Sequence, residues 1–139
     1  SSMAENRIIK LGKRLDFQCH QIEHQMSAYT DCSHGCGLAV IQPAYYRAIY
    51  RWRPMKFARF AREVWQISDR QLSEEELAAE GIRALGAFVS ELGLPRTLRE
   101  LGFREESVLE QIAGSVTPPA GSYHPMSKEE IRTLLQDCF

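Results

Sequence analysis

The sequence has no run of about 18 apolar residues, so it offers nothing to span a bilayer as a helix. Its start, SSMAENRIIK, lacks the basic-then-apolar pattern of a secretory signal, so the expected compartment is the cytoplasm. Cysteines number only four: Cys19, Cys32, Cys36 and Cys138. In a cytosolic chain of this size they read as thiols rather than disulfides, each by default a small buried hydrophobe. No alternating strand pair, internal repeat or low-complexity tract occurs. The net charge is only -1, which argues against a general nucleic-acid binder.

What is present suits one soluble domain. The 139 residues can bury a core, with 44% apolar and 25% charged residues. The charge is unevenly placed. Residues 1–68 carry ten Lys/Arg and five Asp/Glu, whereas residues 69–139 carry seven and thirteen. The plain reading is two differently charged solvated faces.

Helix signals dominate. Ser73 with Glu76, Thr97 with Glu100, and Ser127 with Glu130 each have capping-box spacing. The first opens a long helix with Leu77, Gly81, Leu85, Phe88, Val89 and Leu92 on one stripe, stopped by Gly93 and Pro95. The second opens a short helix ending near Gly102. The third opens a terminal helix with Ile131, Leu134, Leu135 and Cys138 inward. Residues 117–122 (TPPAGS) read as a loop. A helix starting near Asp16 runs to about Tyr29, and a turn follows at residues 31–33. A helix from Gly35 to about Tyr50 contains Pro43 as a kink or tight packing point, and Pro54 suits the first turn of the next helix. The expectation is all-α, seven or eight helices and no sheet.

His20, His24 and His34 lie within fifteen residues. His20 and His24, at i and i+4, project from one helix face, and His34 follows a turn that can fold back over it. Neutral imidazole binds borderline divalent metals well, so this grouping points to a site. Spacing alone leaves several readings open. His20-Gln21-Ile22-Glu23-His24 has the H-x-x-E-H form of inverted zinc peptidases, with Glu23 as base and Glu75, Glu76 or Glu80 as a further ligand. Cys32 and Cys36 with His20 or His34 could form a structural zinc knot. A third, interaction-module reading comes from residues 45–62, which hold six basic residues, no acid and interleaved aromatics, the composition of a single-strand nucleic-acid binder. Their helical spacing favours packing inward instead. His124, beside Pro125 in a loop, reads as a surface residue.

Taken together, the stretch HQIEHQMSA at residues 20–28, then SHGCGLAV at 33–40 and Pro43, resembles the C-terminal signature of iron-containing alcohol dehydrogenases. KFARFA at 56–61 and LGLPRTLRELG at 92–102 are similar to further helices of that family, and the butanol dehydrogenase branch is the nearest in pattern. The resemblance implies a dehydroquinate synthase-like fold in which residues 1–139 form the all-helical, metal-binding C-terminal domain. The NAD(P)-binding domain would lie outside this chain.

It further implies one divalent metal, Fe²⁺ or Zn²⁺, with His20 and His34 as two of four ligands. His24 would lie near the nicotinamide and the substrate, with a catalytic part to play, and Glu23 would be a bystander or a partner to a ligand. The implied activity is NAD(P)-dependent oxidation of primary alcohols or reduction of aldehydes. The implied partners are a small-molecule substrate, the protein's own N-terminal domain and further copies in a homo-oligomer, with neither nucleic acid nor membrane. No D-x-x-x-H motif precedes His20, and no glycine-rich dinucleotide-binding loop occurs. The chain alone is therefore expected to hold little metal and to be inactive.

Overall fold

A computed structural model describes residues 16–117 and 121–139. Six α-helices and one 3-10 turn account for the regular structure among the described residues, with no strand. They are α1 (Gln18–Ser27), α2 (His34–Ile49), a 3-10 turn (Tyr50–Trp52), α3 (Pro54–Trp65), α4 (Glu74–Glu91), α5 (Ser107–Ser115) and α6 (Lys128–Asp137). No helix among them is long and apolar enough to cross a membrane.

Local chemistry sets the boundaries. Asp16 accepts from the Gln18 backbone N–H and so helps start α1. Ser33 caps α2 through the Cys36 N–H. Pro54 occupies the first turn of α3, where its missing N–H costs nothing. That helix ends on Gln66, held at φ 57° in the left-handed region, while the Ile67 N–H returns to the Ala61 carbonyl. The boxes at Ser73 and Ser127 are both reciprocal. Pro43 sits inside α2 and is buried, which makes it a packing point.

Two expectations change. The segment from Thr97 is one turn, not a helix. Thr97 does accept from the Glu100 N–H, but Glu100 reaches back to the Arg96 N–H instead of closing the box. The Phe103 N–H then bonds the Leu98 carbonyl across Gly102, whose φ of 98° ends the run. The α4 stripe is buried at Leu77, Ala78, Gly81, Ile82 and Val89, but Leu85 is half-buried, and Phe88 and Leu92 are exposed. Phe88 still meets Trp65 of α3, with ring centroids 5.7 Å apart, so the far end of the stripe is covered only in part. Positions 118–120 of the expected loop lie outside the described residues.

The core joins all six helices. Ile22 and Met26 of α1 meet Ile41 and Tyr45 of α2, and Leu109, Ile112, Ile131 and Leu135 close the far side. All four inward positions expected of α6, Ile131, Leu134, Leu135 and Cys138, are buried. Gln18 ties α1 to the segment before α6. It is fully buried, donates to the His124 carbonyl and accepts from the Met126 N–H. Asp16 does the same nearby, accepting from the Tyr45 hydroxyl at 2.7 Å and from the Tyr123 N–H. The N-terminal end of α1 is thus fixed, and the face bearing its histidines is set against the start of α2.

Candidate metal centre

The three histidines come together across the α1–α2 connection. His20 Nδ1 lies 3.2 Å from His34 Nε2, and their rings are 5.2 Å apart. The His24 ring is also 5.2 Å from that of His34, at a tilt of 49°. Phe17 stacks on His20 at 4.6 Å and meets His24 edge-on. Periodicity explains the first two rings: Cys19, Ile22 and Met26 turn inward, leaving His20 half-buried and His24 exposed on the flank. His34 is the first residue of α2, and its side chain keeps 48% of its surface open.

Glu23 is the residue that sequence reasoning undervalued. It is fully buried on the inner face of α1. One carboxylate oxygen, Oε2, contacts His34 Nδ1; the other, Oε1, accepts from the Ser27 hydroxyl at 2.5 Å. Across from it, a Cβ on Gly37 would come within 2.7 Å of Oε1, so only glycine leaves room. The signal available in the sequence was an acid inside the apolar stripe of positions 19, 22 and 26.

Ligating atoms of Glu23, His24 and His34 also fall within 4.8 Å of one another. We do not read these three as a ligand set, because both Glu23 oxygens already have partners. The same fact removes the base required by the peptidase motif. Its nominated acids are spent as well: Glu75 pairs with Arg51, Glu76 caps Ser73 and Glu80 pairs with Arg83. Cys32 and Cys36 are half-buried and join no metal-competent group among the described residues. Cys19 and Cys138 are buried as expected; burial pushes the Cys19 thiol up and takes Cys138 up to about 11.

The basic, aromatic stretch is largely packed inward and paired, although Trp52 and Met55 stay exposed. Tyr45, Tyr50 and Phe57 are buried, while Arg51, Arg59 and Arg62 pair with Glu75, Glu63 and Glu74. His124, expected on the surface, is instead partly buried. It stacks on Trp52 at 3.8 Å, and its Nε2 is 2.7 Å from Glu130.

An open cavity of about 340 Å³ adjoins His20, with Leu38, Tyr46, Phe57 and Phe60 on its walls. Burial pushes the Tyr46 hydroxyl's pKa up, so it stays protonated while accepting from Gln42 at 2.8 Å.

Comparison with known proteins gives this arrangement a context. Residues 2–139 match the family described as Fe-containing alcohol dehydrogenase family, C-terminal. NADH-dependent butanol dehydrogenase A of Clostridium acetobutylicum is 32% identical over the whole chain, which spans 36% of that enzyme. The NADPH-dependent aldehyde reductase YqhD of Escherichia coli is 27% identical over 78% of the chain and 27% of that enzyme. The crystal structure of NADH-dependent butanol dehydrogenase A from Thermotoga maritima superposes with a TM-score of 0.85 and 29% identity, over 99% of this chain and 36% of that one. The chain thus spans about a third of the relatives it matches, and it belongs to the iron-containing alcohol dehydrogenase family, whose C-terminal helical part it matches along nearly its whole length.

Proposed function

We propose that this chain is the metal-holding domain of an NAD(P)-dependent dehydrogenase that interconverts primary alcohols and aldehydes. The observation that carries the reading is the 3.2 Å approach of His20 Nδ1 to His34 Nε2. Two nitrogens bound at about 2.0–2.1 Å to one tetrahedral ion lie roughly 3.3 Å apart, so the spacing fits a shared cation. The donor set fits too: imidazoles suit Fe²⁺ and Zn²⁺. Two further ligands, an aspartate and a histidine, would come from an upstream D-x-x-x-H helix of the same protein.

When bound, the metal supplies Lewis-acid polarisation of the substrate oxygen, and the nicotinamide exchanges the hydride. His20 and His34 would hold that ion on the flank of α1, with Phe17 limiting the freedom of the His20 ring. His24 is exposed beside His34, where a ring nitrogen can border the nicotinamide and take up or release the substrate proton. The cavity next to His20 would exclude water from the carbon chain of the substrate. The homo-oligomer implied by the family resemblance belongs to the same reading of the intact protein.

The test uses the protein carrying this chain together with its nicotinamide-binding domain. His20→Ala and His34→Ala each abolish bound metal by atomic absorption. His24→Ala keeps the metal but lowers turnover roughly 100-fold or more. Metal retained in both ligand variants overturns the site, and unaltered turnover across pH removes His24 from the reaction. The 139-residue chain alone should form no NADH or NADPH and should lose Zn²⁺ on dialysis, since it offers two ligands of four. A tightly held stoichiometric ion would overturn that expectation.

A further inference from the structure

We propose that Glu23 is a positioning residue for His34, locking its ring in the tautomer that leaves Nε2 bare, and that Ser27 and Gly37 hold Glu23 in place. The consequence for metal binding rests on the function proposed above; the tautomer does not.

The logic follows from donor and acceptor counting. An ionised carboxylate only accepts, so the His34 nitrogen facing it, Nδ1, carries the hydrogen. A neutral imidazole has one such hydrogen, so Nε2 keeps its lone pair and faces His20 Nδ1 at 3.2 Å. Without the carboxylate, the ring would revert to the arrangement favoured by unconstrained histidine, with hydrogen on Nε2. A protonated nitrogen cannot ligate, so the choice of partner decides whether His34 is ready for a cation.

A fully buried carboxylate is costly unless it is paired and hydrogen-bonded. Here Oε2 receives the His34 Nδ1–H and Oε1 receives the Ser27 hydroxyl, one turn along α1. Gly37, on the first turn of α2, presses against the same oxygen and the Glu23 Cγ, where an added Cβ would sit at 2.7 and 2.8 Å. The carboxylate is thus boxed in by its own helix and the next. Cys32 Sγ lies 3.9 Å from the Ser27 hydroxyl and closes the outer side of the box.

Long-range ¹H–¹⁵N correlation spectra of the metal-free chain at pH 8 test this directly. Wild type should show His34 protonated on Nδ1 and bare on Nε2, while exposed His24 keeps hydrogen on Nε2. Glu23→Leu, which fills the same space without charge, should return His34 to the Nε2–H form. Gly37→Ala retains every polar group but displaces the carboxylate, and should do the same; it decides the matter if the leucine variant fails to fold. A wild-type His34 with hydrogen on Nε2, or variants with an unchanged tautomer, overturns the proposal.

Titration with Zn²⁺ alone, on the protein that carries this chain together with its nicotinamide-binding domain, separates the two claims. Both variants should bind roughly 10–100-fold more weakly than wild type, as expected on losing the partner that orients a ligand. Equal Zn²⁺ affinity in wild type and variants overturns the positioning role. Zn²⁺ that perturbs neither His20 nor His34, with the tautomer still locked, overturns the metal site and leaves the positioning of His34 standing.

Discussion

Gly81 and Ala61 meet so closely that the α3–α4 pair has no room for one more carbon. A Cβ built on Gly81 would lie 2.7 Å from the Ala61 Cβ and 2.9 Å from its Cα. Ala58, Ala61 and Ala78 are each fully buried, so small residues on both sides let the backbones approach. On an exposed helix, Gly→Ala would stabilise by about 1 kcal/mol. Here the contact is with backbone, which cannot swing aside. Gly81→Ala should therefore lose roughly 1–3 kcal/mol despite its better helix propensity. Urea denaturation with an unchanged slope and a lower midpoint would register it; a raised midpoint would refute the packing argument.

The box at the start of α6 should show in the acid limb of stability. The Ser127 backbone N–H, first, and His124 hold the Glu130 carboxyl below its ordinary range. A group whose folded pKa is depressed stabilises the fold above its unfolded value, and that stability fades as pH falls through the folded value. Ser127→Ala should cost about 1 kcal/mol near neutral pH. Glu130→Gln should flatten the dependence of the melting temperature on pH in the carboxylate range. An identical acid limb in wild type and Glu130→Gln would contradict the assignment.

Thiol chemistry should divide the four cysteines in two. Cys19 and Cys138 are buried and their thiols are pushed up, so neither has thiolate to offer at pH 8. Cys32 and Cys36 are only half-buried. Ellman's reagent on the native chain should label Cys32 and Cys36 first, with the other pair reacting on unfolding. Rapid native labelling of Cys19 would show that the end of α1 opens readily.

Gln18 makes a prediction about the join between the two ends of the described chain. Its amide satisfies the His124 carbonyl and the Met126 N–H from a buried position. Gln18→Leu keeps the volume but strands both groups, at a cost of about 2 kcal/mol or more. Hydrogen exchange at the Met126 amide should accelerate more than that of the α4 interior. Unchanged exchange there would mean that the segment is held by other contacts.

Much of this architecture was legible residue by residue. Ser73 and Ser127 announced their helices because a capping box is a local device, complete within four residues. Pro54 and Gly93 worked for the same reason. Thr97 misled because its spacing matched while the Glu100 carboxylate had a nearer donor in Arg96. The α4 stripe misled because periodicity tells which positions share a face but not how fully that face is covered. At the site, the three histidines were readable from spacing. Glu23 was legible only as a bystander or a partner to a ligand, since how a buried carboxylate is held depends on Gly37 and Ser27 facing it in space.

The short span between His20 and His34 carries a consequence for how the centre assembles. The two residues are 14 apart, and α1 and α2 are joined by only residues 28–33. Closing so small a loop costs little entropy, and contacts of low sequence separation form early in folding. The paired rings therefore belong to a helical hairpin that can be shaped before His124 and Met126 meet α1 through Gln18. Lesions in α6 should then weaken the molecule as a whole while leaving the geometry of the histidines intact in the folded fraction.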